Sequence, residues 1–166
     1  MNKKIVAIVL VVAIVLTSLA AASTNGTSKK DALSVGVGLG TNSGVAVKYG
    51  MGQFDLQGGL SFAVNGGEAA FGIDCGAFYN FANWTFKTGT LSAPQTIAFT
   101  TGPIAMVKIK DGVGLDAIWA VGAEYTFPKV PVTMFLKAGL GYGFSFSDSI
   151  NAGLRGYGVI GALYNF

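Results

Sequence analysis

Across residues 32–166, apolar side chains recur at every second position, and the charged residues inside that pattern fall on the other parity. A period of two is the signature of extended strands, whose successive side chains point to opposite faces. No window in this stretch fits a helical period of 3.6 better, so the chain reads as all-β. Leu33, Val35, Val37 and Leu39 alternate with Ser34, Gly36, Gly38 and Gly40, and Thr41, Asn42 and Ser43 then turn the chain. Val45, Val47, Tyr49 and Met51 continue the apolar series opposite Ala46, Lys48 and Gly50.

Six further segments follow the same rule. After Gly52 and Gln53 the third strand sets Phe54, Leu56, Leu60 and Phe62 against Asp55, Gln57, Gly59 and Ser61, and Asn65, Gly66 and Gly67 supply a tight turn. The fourth, 68–86, sets Phe71, Ile73, Cys75, Ala77 and Tyr79 against Gly72, Asp74, Gly76 and Asn80. Its parity slips at 81–83, which predicts a bulge, after which Trp84 and Phe86 rejoin the apolar face. The longest loop is 88–95, with Gly89 and Pro94. A fifth strand runs to Lys110, with Pro103 expected to mark a bend because proline lacks a backbone donor. Asp111-Gly112 is the strongest hairpin signal, and the sixth strand alternates through Phe127. A turn at 128–131 leads to the seventh, 132–144, and 145–149 leads to the last, 150–166.

The placement of the charges decides which face is inside. Asp55, Asp74, Asp116 and Glu124, with Lys48, Lys108, Lys137 and Arg155, share the glycine-rich parity, while the apolar parity carries no charge in mid-strand. A soluble calyx has the reverse arrangement. In a membrane barrel the lipid face must be apolar, since Arg or Lys there costs about 2–4 kcal/mol at mid-membrane. The expected fold is therefore an eight-stranded antiparallel up-and-down transmembrane β-barrel, the even count suiting a single-chain bacterial barrel. The last strand, which would otherwise be an open edge, closes on the first. Tyr49, Phe54, Phe62, Trp84, Tyr125, Phe127, Phe144, Tyr164 and Phe166 lie near strand ends on the apolar face and are expected to form interfacial girdles.

Residues 1–22 are expected to be a signal peptide. Lys3 and Lys4 precede an apolar run that ends at Ala20, Ala21 and Ala22, the three-part pattern of an export signal. An uncleaved anchor is the other reading, and both send the chain out of the cytoplasm. Residues 23–31 form a short polar leader and 32–166 the barrel domain. Removing residues 1–22 takes away two lysines and no acids, so the formal charge falls from +3 to +1 and leaves no electrostatic case for nucleic acid. Charged residues are 11% of the chain and hydrophobic ones 51%, whereas soluble domains carry about 25% charge.

The chain has no histidine, which removes Ser-His and Cys-His nucleophile systems and the commonest metal ligand. No catalytic residue, metal site or cofactor is indicated. The lone Cys75 cannot form an internal disulfide and reads as inert on the apolar parity; the glycines at 36, 38 and 40 precede no helix and read as close packing rather than a phosphate loop. The four acids and four bases of the inner parity balance, and an eight-strand interior is just wide enough for side chains. Mutual neutralisation in a filled barrel is thus the expected role of these charges, with ion conduction the competing one. Counting across the turns, Lys48 is expected to face Asp55, and Glu124 to face Lys137.

Two long pieces, VGVGLGTNSGVAVKYGMGQFDLQGGLSF and VGAEYTFPKVPVTMFLKAGLGYGF, together with the ending LYNF, carry a resemblance that covers most of the mature chain. The chain resembles the small outer-membrane β-barrel proteins of spirochetes, related to the OmpA/OmpX type. Gly122, Glu124 and Tyr125 before a proline-containing turn, and Phe135 and Leu136 after it, match that pattern. Where those relatives have Arg-Tyr near the C-terminus this chain has Leu163-Tyr164, and the resemblance implies fold and location rather than an activity. It also implies that Tyr164 and Phe166 act as an assembly signal read by the barrel-assembly machinery. The expected function is that of a non-catalytic outer-membrane barrel with a structural, surface or narrow-pore role, with outer-membrane lipid and the assembly machinery as partners. A secreted lipocalin-like carrier of small hydrophobic molecules and an outer-membrane enzyme acting on lipid are the alternatives. No ligand is legible.

Overall fold

The computed structural model describes residues 30–65, 68–87, 94–109, 112–146 and 150–166. The expected signal peptide, residues 23–29 of the expected leader, and the turn tips at 66–67, 88–93, 110–111 and 147–149 lie outside the described residues. The described chain is a closed barrel of eight strands in sequence order, each antiparallel to its neighbours. The strands are β1 (Lys30–Gly40), β2 (Ser43–Met51), β3 (Phe54–Asn65), β4 (Glu68–Phe86), β5 (Gln95–Ile109), β6 (Val113–Thr126), β7 (Val132–Phe146) and β8 (Ile150–Asn165).

Closure is made by β1 and β8, paired from Ser34↔Asn165 to Gly40↔Val159. The Ser34 hydroxyl donates to Asn165 Oδ1 at 2.8 Å, and Phe166 N–H donates to the Leu33 carbonyl at 3.0 Å. The final residue is thereby held by the first strand, which satisfies backbone groups that an open edge would leave unpaired.

Two local irregularities have plain causes. β4 pairs with β5 as Asn80↔Thr100 and then as Ala82↔Phe99, so Phe81 is the extra residue of a bulge that resets the parity. Opposite Pro103 the ladder from β5 to β4 is interrupted between Gly76↔Ile104 and Tyr79↔Thr101, on the side where the missing N–H would bond. The β2–β3 turn needs Gly52, whose φ of +86° lies in the left-handed region.

The alternation of the sequence becomes an inside and an outside. Ser34, Gln57, Ser61, Phe78, Thr100, Met106, Asp116, Glu124, Thr133, Phe135, Lys137, Tyr157 and Leu163 are buried. Residues on the opposite parity, such as Val37, Leu39, Trp119, Leu136, Leu140, Leu154 and Ile160, are half or more exposed. No charged residue occupies an outward position among the described strand residues between Leu33 and Tyr164. Narrowness is enforced by inward glycines: a Cβ on Gly161 would come within 2.4 Å of the Phe135 ring, and one on Gly122 within 2.7 Å of Lys137 Cγ.

Candidate functional site: the charged interior

Lys137, on β7, is the centre of the inner network. Its side chain has no exposed surface. Its ammonium lies 3.3 Å from Glu124 Oε1, donates to Gln57 Oε1, and sits 3.4 Å from the centroid of the Phe78 ring. Glu124, on β6, also accepts from Lys48 Nζ at 2.6 Å, across the barrel from β2, and Lys48 lies 3.6 Å from Asp55 on β3. Two cations and two carboxylates therefore alternate as Asp55, Lys48, Glu124 and Lys137. A buried charge is tolerated only when it is paired and hydrogen-bonded. The face of Phe78 supplies the remaining side of the ammonium with π-electron density instead of water.

The pairing differs in register from the sequence expectation. Lys48 lies opposite Gln57, and Asp55 opposite Gly50; Glu124 lies opposite Phe135, and Lys137 opposite Gly122. Each ion pair is thus a diagonal, offset by two residues. The cause at the β2–β3 end is a tight turn centred between Gly52 and Gln53. Diagonal neighbours are about 7–8 Å apart at the backbone, within reach of a lysine stem. The glycines that lie opposite leave the volume those stems occupy.

A second group closes the opposite end of the barrel. Asp116, near the start of β6, is buried and lies between Lys108 Nζ at 2.8 Å and Arg155 Nε at 3.7 Å. Lys108 and Arg155 have side chains 41% and 45% exposed, so this group is a rim rather than a core. Asp74 lies between the two groups. A Cβ on Gly59 would approach its carboxylate to 2.9 Å, and the Asn42 side chain hydrogen-bonds to it. Asn42 comes from the β1–β2 turn, is buried, and also donates to Met106 Sδ at 2.9 Å. The turn residue thus reaches into the barrel and fills it. A cavity of about 20 Å³, bordered by Asn42, Gln57, Ser61, Asp74, Phe135 and Tyr157, is the space left there, room for about one water.

Two residues of the site, and one contact, were not legible in the sequence. Phe78 is an aromatic on the polar parity, so the alternation gives no reason to single it out. Asn42 reads as an ordinary turn residue, and its inward side chain follows from closure of the barrel. The contact of Lys48 with Glu124 joins strands that are not neighbours, which no count across a turn can find. Cys75 is a free thiol, half-buried on the outward parity of β4.

Fold and site together define a class: an eight-stranded antiparallel β-barrel with a packed, charged interior and an apolar exterior. No protein family, curated protein or solved structure matches the chain.

Proposed function

We propose that the chain is an integral outer-membrane protein, exported by a signal peptide at residues 1–22 and inserted as a barrel with a side-chain-filled interior and a structural or surface role without catalysis. The observation that carries this reading is the outer face. Among the described residues, twenty-five large apolar side chains are exposed, distributed around the barrel. Soluble monomers rarely expose a contiguous apolar patch beyond about 300–600 Å². The burial of Glu124 and Lys137 against each other, and of Asp116 against Lys108, supports the same reading. So does the resemblance to the small spirochete barrels of the OmpA/OmpX type, which adds the assembly machinery as a partner. A carrier for small hydrophobic molecules needs an apolar cavity of about 300 Å³ or more. The space bordered by Asp74 and Asn42 is about 20 Å³, far smaller than that.

The side on which the turns lie follows from the closure. The start of β1, the end of β8, the β2–β3 and β6–β7 turns, the end of β4 and the start of β5 lie at one end, the periplasmic end in this reading. The β1–β2 turn at 41–42 and the opposite ends of the other strands then lie on the cell-exterior side.

The test is folding into detergent micelles followed by gel mobility with and without heating. A heat-modifiable band with β-type circular dichroism is the expected result, and a monomer that stays soluble and folded without detergent refutes membrane insertion. A chain lacking Phe166 is expected to reach the outer membrane in smaller amount while retaining most of its stability once folded in vitro. Equal insertion of the two chains means that Tyr164 and Phe166 serve only as an interface anchor.

A further inference from the structure

The inner carboxylates are not served alike. Asp55, Glu124 and Asp116 each have a side-chain cation beside them, at 3.6, 2.6 and 2.8 Å. Asp74, on β4, has none among the described residues. The register gives the reason. Lys108 lies opposite Gly72 and Met106 opposite Asp74, so Lys108 stands on the same two-residue diagonal to Asp74 that brings Lys48 to Asp55. On its other side Lys108 is equally diagonal to Asp116, because Met106 also lies opposite Asp116 and Lys108 opposite Gly114, and it takes that partner. Lys137 is held by Glu124 and Gln57. Asp74 is left with a neutral donor, the Asn42 side chain. A carboxylate drawn out of water with no positive charge beside it is costly.

What surrounds that carboxylate is oxygen. Its Oδ2 and Oδ1 lie 2.9 and 3.1 Å from where a Cβ on Gly59 would sit, and Gly59 lines the cavity of about 20 Å³ described above. The two N–H bonds of the Asn42 amide go to Asp74 and to Met106 Sδ, which leaves its carbonyl oxygen as an acceptor. Ser61 and Tyr157, 5% and 9% exposed, line the same cavity, and neither hydroxyl has a hydrogen-bond partner among the described residues. We propose that this cavity binds one dehydrated monovalent metal cation of sodium's size, held by the Asp74 carboxylate and by the oxygens of Asn42, Ser61 and Tyr157. One carboxylate neutralises one positive charge. No group of three or more acidic, histidine or cysteine residues that could hold a metal occurs among the described residues, so a divalent ion lacks the carboxylates it takes. The neutral oxygens replace the hydration shell, as backbone carbonyls do in a channel filter. Water alone would fill the volume and leave the charge of Asp74 unmatched.

The inference concerns the inside of the barrel and goes beyond the outer-membrane reading. The full chain, folded into detergent micelles, is unfolded in urea in the chloride of sodium, potassium or N-methylglucamine at equal ionic strength. A site of about 10 mM affinity raises the folded-to-unfolded ratio about tenfold at about 0.1 M ligand. A rise of that size is expected in sodium, a smaller one in potassium and none in the organic cation. Asp74→Asn keeps the shape and removes the charge, and it is expected to unfold at one midpoint in all three salts. Broadening of the sodium NMR signal by the folded parent is expected as well, and it needs no variant. Equal parent midpoints in sodium and N-methylglucamine overturn the proposal, as does a sodium signal that the parent leaves as sharp as buffer does. A sodium response that Asp74→Asn retains places the ion elsewhere and overturns it too. A potassium response equal to that of sodium overturns the assignment to an ion of sodium's size.

Discussion

At the end of the barrel where β1 begins and β8 ends, Asp55, Lys48, Glu124 and Lys137 are enclosed by Gln57, Phe78 and Phe135, and Lys137 has no exposed surface. At the opposite end Asp116 is flanked by two cations that are nearly half exposed. Both groups pair carboxylates with side-chain cations, and the pair distances overlap, 2.6–3.6 Å in the first group and 2.8–3.7 Å in the second. The two groups differ in access to water. A charge that can be rehydrated when its partner is lost pays little for the loss, whereas an enclosed one pays its desolvation in full. Position along one short barrel therefore converts equal chemistry into unequal energetics.

The largest expected effect breaks the enclosed group. Glu124→Ala leaves the Lys137 ammonium with Gln57 and the Phe78 face and removes the tighter partner of Lys48, and it is expected to cost about 3–5 kcal/mol. The unfolding midpoint in urea of the detergent-folded protein measures it. A cost under about 1 kcal/mol would mean that water reaches Lys137 and that the two groups are alike. The companion variant sharpens the point: adding Lys137→Met to Glu124→Ala removes the orphaned charge and keeps most of the volume. It is expected to restore part of the loss, with a coupling energy of about 0.5–3 kcal/mol in a double-mutant cycle. Additive effects, combined with a steady single-channel conductance that the variants alter, would show instead that these charges line an open path.

A smaller effect comes from the glycines beneath each group. A Cβ at Gly122 would lie 2.7 Å from Lys137 Cγ and 2.9 Å from the Leu136 carbonyl, neither of which can move freely. Gly122→Ala is expected to cost about 1–3 kcal/mol as overpacking. At Gly143 a Cβ would meet Asp116 Oδ1 at 2.1 Å and Arg155 Cγ and Nε at 2.7 Å, but Arg155 can swing into solvent. Gly143→Ala is therefore expected to lower the unfolding midpoint less than Gly122→Ala. The reverse order would place the rigid part of the interior at the rim.

Much of this architecture was legible because the fold is written in parity. The strands, the turn at 52–53 and the bulge at Phe81 follow from the period of two, since a slip of one residue would exchange the two faces of a strand. The strand ends moved by a residue or two: β1 begins at Lys30 rather than near Ala32, and β7 runs on to Phe146. Parity says which face a residue is on but not how far along the strand its partner sits, so Lys48 and Lys137 turned out diagonal to their acids. Contacts across the lumen, such as Lys48 with Glu124 or Asn42 with Met106, depend on closure and on which glycines leave room. They are properties of the whole barrel, with no counterpart in any local spacing.

The smallest expected effect tests the exposed group. Lys108→Ala removes the 2.8 Å partner of Asp116 and opens the carboxylate to water from the side that Lys108 occupied, while Arg155 remains at 3.7 Å. The expected cost is at most about 1 kcal/mol at low ionic strength. Because the Debye length shrinks to about 3 Å at 1 M salt, that cost should nearly vanish there. The Glu124→Ala cost should persist, since counterions do not enter the space between Lys137, Phe78 and Phe135. Unfolding midpoints of both variants at low and high salt give the contrast directly. A Lys108→Ala penalty that is as large as that of Glu124→Ala, or as indifferent to salt, would show that solvent access is not what separates the two ends.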